Sequence, residues 1–396
     1  MNGKSVMNTY ARYPVRLVRG QGCCAWDDTG KKYLDFISGI AVNTLGHAHP
    51  VLVRAITKQA QIMLHCSNLF HIPPQEKLAQ KLASLSGLER AFFCNSGAEA
   101  NEAAIKLTRK YWYDQGSPRR TIITAAQSFH GRTLNTLTAT GQDKVKTGFD
   151  PLPPGFVHVP LADMNALKKA VGDDTAGILL EPIQGEGGVN VVADAYLRGV
   201  RKLCNDTGLL MMLDEVQTGV GRTGDMFGFE HTGMRPDILT LAKGLGGGVP
   251  IGAMLASESV AASFSPGTHG CTFGGNPLSC AAALTVLDVI EQEGLLENVR
   301  TQGGRLLLGL KAIQRTHPVI QEIRGQGLLI GAEFSCDVAE TITRCRESGL
   351  LLLSAGPKVL RFLPPLNVTS AEIDEALGIL GDCIETNCIG PDGGST

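Results

Sequence analysis

Five short apolar runs, each stopping at a polar or charged residue, limit how this chain can fold more than any other feature. ERAFFCNSG reads as a strand ending near Cys94, RTIITAAQSFHG as one from Thr121 to Ala125, and AGILLEPIQGEGG as one ending at Glu181. LLMMLDE ends at Asp214 and DILTLAK at Lys243. Helical patterns lie between them, such as AEANEAAIKLTRKYW and DAYLRGVRKLCNDTG. The second places Tyr196, Val200 and Leu203 on one face and stops at Gly208. Strands alternating with helices imply an α/β fold, a mostly parallel sheet with helices on both faces. Ligands of such sheets bind outside the carboxyl ends of the strands. Asp214 and Lys243 are therefore expected to face one crevice.

The chain has 396 residues, 43% of them hydrophobic, too many for one simple core. Its start, VRLVRGQGCCAWDDTGKKYLDF, reads as β-rich with a turn at Asp28-Thr29-Gly30. From about Leu284 the chain turns helical, and GQGLLIGAEF and LRFLPPLNV then read as strands. The expected division is a large domain over 51–285 and a smaller one built from 1–50 and 286–396, with the terminal GPDGGST unstructured.

The net charge is −2 and no block of like charge occurs, so nucleic acid and anionic membrane are poor partners. No apolar stretch approaches the ~18 residues of a membrane span, and MNGKSVMNTYARYPV has no apolar signal core. The 11 cysteines are scattered without a C-x-x-C pair, which suits reduced thiols in a cytoplasm rather than a disulfide frame or zinc site. HAHP, at His47 to Pro50, lacks a third ligand at metal spacing and reads as structural, so no metal is expected.

Four motifs carry chemistry. In CNSGAEANEAAIKL a strand runs through Asn95, Ser96, Gly97 and Ala98 into a helix. Its free amides suit an anion such as phosphate. The ordinary alternative is an N-cap by Ser96 with Glu99 in a capping box, and the two can coexist. LLMMLDE resembles the acidic strand of nucleotide hydrolases, but the one G-K-S, at Gly3-Lys4-Ser5, has no room before it for the phosphate loop. A buried aspartate can instead cap a turn or hold a cationic ring nitrogen. Lys243 precedes Gly246-Gly247-Gly248; desolvated there it becomes a nucleophile, whereas a lone lysine would snorkel to solvent. In SFHGRT, Phe129 can cover a flat ring or pack in the core. Arg132 can grip a carboxylate bidentately or form a weak surface pair.

Taken in order, SGAEANEAAIKL, SFHGRT, EPIQGEGGV, DEVQTGVGRTG, LAKGLGGG, HGCTFGGNPL and LRFLPPL resemble the class III, or ω-, aminotransferases dependent on pyridoxal 5′-phosphate, nearest the acetylornithine branch. The resemblance runs from about Tyr10 to about Asp382. It implies the fold type I architecture: a large unit with a mostly parallel seven-stranded sheet sandwiched by helices, plus a smaller α+β unit. Lys243 matches the lysine that bonds the cofactor and shuttles the proton, and Asp214 the partner of the pyridine nitrogen. Val216 and Gln217 match residues under the ring and near its phenolic oxygen. Phe129, followed by His130, matches the aromatic on the other face. Ser96, Gly97 and Ala98 match the phosphate cradle, and Thr272 a hydroxyl reaching the phosphate from a partner subunit, which implies a homodimer. Arg132 matches the grip on the distal carboxylate, Arg361 the grip on the 2-oxoglutarate carboxylate beside the reacting carbon, and Glu186 a movable partner of Arg361. Asn68 matches a substrate contact. Ala98 and Cys271 depart from the Ser or Thr usual in the family; a thiol is a poor donor, so Cys271 weakens any bond to substrate or phosphate.

Relatives handle ornithine, acetylornithine, succinylornithine and 4-aminobutyrate. The ornithine enzymes carry a tyrosine where Ile40 stands, and Ile40 cannot hydrogen-bond a free α-amine. The implied reaction is transfer of the terminal amino group of N2-acetyl-L-ornithine to 2-oxoglutarate, giving N-acetyl-L-glutamate 5-semialdehyde and glutamate. Use on succinyl-diaminopimelate is also open. A decarboxylase or aminomutase of the same cofactor class is disfavoured by the Glu186 and Arg361 pair. A non-catalytic binding protein is disfavoured by the retained Lys243, Asp214 and Arg132.

Overall fold

Residues 5–384 are described by the computed structural model; the GPDGGST run lies outside them. The central sheet has seven strands: β1 (Arg90–Cys94), β2 (Thr121–Ala125), β3 (Phe156–Val159), β4 (Thr175–Leu180), β5 (Leu210–Asp214), β6 (Ile238–Leu241) and β7 (Gly252–Ala256). Their spatial order is β1-β7-β6-β5-β4-β2-β3. Six run parallel, and β7 alone is antiparallel to its neighbours β1 and β6.

The pleat explains why β4 to β7 are buried throughout and mostly apolar. Successive side chains point to opposite faces. Met211 and Leu213 join one apolar cluster, while Leu210 and Met212 join another on the far side. Helix Asp194–Thr207 covers the first face with Tyr196, Leu197, Val200 and Cys204. Leu203, expected on that stripe, is only partly buried, because the stripe is centred on Tyr196, Val200 and Cys204. Helix Gly97–Asp114 covers the second face with Ala103, Ala104 and Leu107. A parallel sheet covered on both faces has no solvated side, so no polar alternation survives in its strands.

The chain ends meet. Leu17–Gln21, Cys24–Asp27 and Lys32–Asp35 form an antiparallel meander, and Leu350–Leu351 adds to it in parallel beside Leu34 and Asp35. The turn at Asp28-Thr29-Gly30 forms as expected: Asp27 Oδ1 accepts from the Thr29 and Lys31 amides at 2.9 and 3.0 Å. After helices Pro277–Gln292 and Leu295–Thr316 comes a second antiparallel sheet of Ile320–Gln326, Leu329–Phe334, Val359–Phe362 and Leu353–Ser354. GQGLLIGAEF is thus the tip of a hairpin and not one strand. Gly327 turns it at φ 57°, and a Cβ there would lie 2.5 Å from the Thr223 backbone. His47 and His49 are held by Asp35 at 2.7 Å and Glu293 at 3.4 Å. Among the described residues no helix is long and apolar enough to cross a membrane.

Candidate active site

The carboxyl ends of β1, β4, β5 and β6 open into one cavity of about 420 Å³. Asp214, the last residue of β5, is 4% exposed at its floor. Three donors fix its carboxylate. Asn101 Nδ2 donates to Oδ2 at 2.7 Å, His130 Nδ1 to Oδ2 at 2.8 Å, and the Val216 amide to Oδ1 at 3.0 Å. A carboxylate offers about four lone-pair sites, so one acceptor position remains, on Oδ1.

Asn101 is itself oriented. Thr240 Oγ1, on β6, donates to Asn101 Oδ1 at 2.7 Å, which turns the Asn101 amide hydrogens toward Asp214 and the His130 carbonyl. Asn101 and Thr240 are 1% and 0% exposed, and sequence reasoning singled out neither. The available signal was an asparagine, a poor helix former, among the alanines of a buried helical face. Asn101→Ala removes a donor from a buried charge, which costs about 1–3 kcal/mol. Its expected result is a cofactor Kd, measured by equilibrium dialysis, raised about 10-fold or more. An unchanged Kd would leave Asn101 a packing residue.

Lys243 follows β6 and opens the turn Lys243–Gly246 with φ 41°. A lysine at positive φ is strained, and such strain gathers at functional sites. Burial holds its ammonium below the usual lysine range, although Glu186 pushes the other way. Glu181, following β4, accepts from the Phe129 amide at 3.0 Å. Burial, reinforced by the nearby Asp214, lifts its carboxyl well above the usual range. It too lines the cavity, though sequence reasoning saw it only as the end of a strand.

Arg361, on strand Val359–Phe362, is 1% exposed and meets the cavity through Glu186 and Gln217, which line it. Its Nη1 donates to Glu186 Oε1 at 2.6 Å and to Gln217 Oε1 at 3.0 Å, and Gln217 Nε2 donates to Glu186 at 3.2 Å. Burial opposes ionisation of Glu186, but Arg361 and Lys243 outweigh it and draw the pKa down to about 2. Glu186 is therefore ionised at neutral pH.

At the cavity's third side, Ser96 caps helix Gly97–Asp114 by accepting from the Glu99 amide at 3.2 Å. Glu99 reaches back to the Asn95 amide, one residue earlier than a capping box requires. Gly97 and Ala98 open the helix, where amides have no intrahelical acceptor, and both line the cavity. A Cβ on Gly97 would lie 2.7 Å from Val216, so the close approach needs glycine. Phe129, Val216 and Gln217 complete the lining, and the Arg132 guanidinium stands over the Phe129 ring at 5.4 Å.

Besides Arg361, four expected residues are not among those lining this cavity. Asn68 donates to the Cys271 and Gly274 carbonyls at 3.1 and 2.9 Å, tying down the loop that carries them. Cys271 Sγ accepts from Asn95 Nδ2 at 3.1 Å, and Thr272 is exposed. Ile40 sits in an unusual left-handed turn, with positive φ from Ser38 to Ala41, and is 40% exposed.

A family model described as aminotransferase class-III matches residues 6–384. The chain belongs to the class-III aminotransferase family. Within it, this class-III chain is 54% identical over 383 residues to the acetylornithine aminotransferase of Caldanaerobacter subterraneus subsp. tengcongensis, covering 96% of this chain and 97% of that one. It is 51% identical over 377 residues to the acetylornithine aminotransferase of Methanocaldococcus jannaschii, covering 95% of each. Among solved structures, the ornithine aminotransferase of Toxoplasma gondii superposes with a TM-score of 0.93 at 34% identity, over 96% of this chain and 92% of that one. The N-acetylornithine aminotransferase of Stenotrophomonas maltophilia gives 0.83 at 41% identity, over 95% and 97%.

Proposed function

We propose that this chain moves the terminal amino group of N2-acetyl-L-ornithine to 2-oxoglutarate, using pyridoxal 5′-phosphate, as a cytoplasmic homodimer. The observation that carries the reading is the pairing of Glu186, which lines the cavity with Lys243 and Asp214, with the buried Arg361 behind it. The relatives named above support the choice of amino donor.

The residues present fit the cofactor. The helix-start amides of Gly97 and Ala98 suit its phosphate, and Phe129 and Val216 would flank a flat ring, with Gln217 near its phenolic oxygen. The one acceptor position left on Asp214 suits a protonated ring nitrogen. When bound, the cofactor supplies an electron sink for breaking and remaking the bond to hydrogen beside the amine.

The chain's own residues do the rest. Asp214, with three donors and one open acceptor position, would accept from a protonated nitrogen that faces it. Lys243, its ammonium weakened by burial, can release and take up a proton at Nζ. Arg132 would bind the carboxylate of either substrate at the mouth. With Glu186 on Arg361, the inner site presents no free cation to the methylenes of an ω-amine. With Glu186 withdrawn, Arg361 can take a carboxylate beside the reacting carbon. Thr272, exposed on its own chain, would complete the phosphate site of a second copy. Ile40 offers no partner to a free α-amine, which favours an acylated one. The pairing of Lys32–Asp35 with Leu350–Leu351 supports a smaller unit built from both chain ends.

The test mixes the holoenzyme with N2-acetylornithine, ornithine or 4-aminobutyrate, without an oxo acid, and follows loss of the cofactor's visible band. Acetylornithine is expected to be fastest. A faster reaction with ornithine or aminobutyrate would overturn the donor assignment.

A further inference from the structure

The cavity wall formed by Phe129, Arg132 and Glu186 is shared with a second, larger cavity of about 780 Å³. Its far side is built by Arg12 and Tyr13 near the N-terminus, Lys144, and Arg346 on helix Ala339–Glu347. With Arg132, four cationic side chains line this space against two carboxylates, Glu186 and Asp337. Glu186 is matched by Arg361 at 2.6 Å, and Asp337, whose Oδ1 accepts from the Ala339 amide at 2.8 Å, offsets at most one of the four, so the space stays net positive. Among the described residues, Arg12, Lys144 and Arg346 enter no ion pair. Arg346 instead lays its guanidinium over the Tyr13 ring at 4.7 Å, which fixes its position without cancelling its charge.

Like charges gathered in a concave space repel one another and raise the local concentration of anions. A folded chain gains nothing from that arrangement unless an anion enters. The cavity leads to the inner site past Arg132, and the anion that fits its size and charge is a small dicarboxylate.

We propose that this vestibule is an outer docking site for small dicarboxylates. Arg12, Lys144 and Arg346 hold the oxo acid before it passes Phe129 to Arg132 and Arg361; this identity of the anion rests on the proposed amino transfer. Docking here speeds capture and leaves the chemical step alone. It acts on KM for the oxo acid and not on kcat, and it weakens as salt screens the field.

The experiment compares the wild-type holoenzyme with the double variant Lys144→Gln/Arg346→Gln. Both side chains lie away from Lys243 and Asp214, and matching visible spectra and thermal midpoints establish that the variant is folded and loaded. The first readout is transamination with 2-oxoglutarate over a range of ionic strength. The expected result is a kcat/KM about 5-fold lower in the variant at low salt, an unchanged kcat and a flatter salt dependence. The second readout is calorimetric titration with glutarate, which has both carboxylates and no oxo group. Wild type is expected to take two glutarates per chain and the variant one. Equal kcat/KM and equal glutarate stoichiometry in the two proteins overturn the docking site, as does a loss confined to kcat. A wild-type enzyme that transaminates acetylornithine beside such an unaffected variant keeps its function and loses the vestibule. A wild type inactive on acetylornithine that still binds a second, variant-sensitive glutarate loses the function and keeps the vestibule.

Discussion

Lys243→Ala is expected to lower turnover by at least ~10³-fold, since no other basic nitrogen in the cavity stands where it does and a positioned acid–base group alone accounts for about 10²–10⁴. Arg132 lines the cavity and Arg361 stands behind Glu186, and a guanidinium does not give up its proton. The variant should also lose the cofactor's visible band. Its fold should be intact, because alanine keeps the Cβ and the positive φ of the turn unchanged. Removing the ammonium relieves its own desolvation but takes a favourable charge from Glu186, and the two effects oppose one another. A thermal midpoint close to that of wild type, with turnover gone, is the expected pair of measurements. Wild-type turnover would sink the assignment of the nucleophile.

Glu186→Ala divides the two substrates. It leaves Arg361, 1% exposed, with only the Gln217 oxygen as a side-chain acceptor. Breaking a buried pair from one side costs about 3–5 kcal/mol. A glutamate α-carboxylate can recover that loss by binding Arg361, whereas the methylenes of an ω-amine cannot. The ratio of kcat/KM for glutamate over N2-acetylornithine is expected to rise about 100-fold, measured on the separate half-reactions. The stability difference has a defined pH window. Glu186 ionises at about 2 in the folded chain against an ordinary 4.5, so the folded state binds fewer protons than the unfolded one between these values. The wild-type advantage is full above pH 4.5 and is lost as the pH falls toward 2. Denaturant titrations of both proteins at pH 3 and pH 7 measure it; an equal gap at both would remove the pair from the account.

Five of the seven strands were legible because burial leaves them largely apolar, and each run stops where the cavity begins; Phe156–Val159 and Gly252–Ala256 were not singled out. β2 was placed to the residue and β5 at its carboxyl end. The hairpin at Gly327 was not, because an apolar segment with glycines at 325, 327 and 331 reads alike as a strand or as two strands meeting at a turn. Lys243 and Asp214 were legible as charges at strand ends. Asn101 and Thr240 were not, since their role depends on a helix and a neighbouring strand aiming both side chains at one carboxylate, and no local spacing encodes that. The Glu186–Arg361 contact joins residues 175 positions apart, and only the resemblance to a family paired them beforehand.

The parallel pairing of Lys32–Asp35 with Leu350–Leu351, reinforced by Lys31 Nζ donating to the Glu347 carbonyl across 316 positions, bears on how the molecule is made. The ribosome releases the N-terminal meander first. At about 5–20 residues per second its closing strand emerges roughly 16–60 s later. Until then the meander presents an open edge of unpaired backbone amides and carbonyls. The central sheet lies wholly between these two segments and can form while they wait. The outer edge of the meander, Lys32–Asp35, is thus made early and meets its parallel partner only after the central sheet's strands have all emerged.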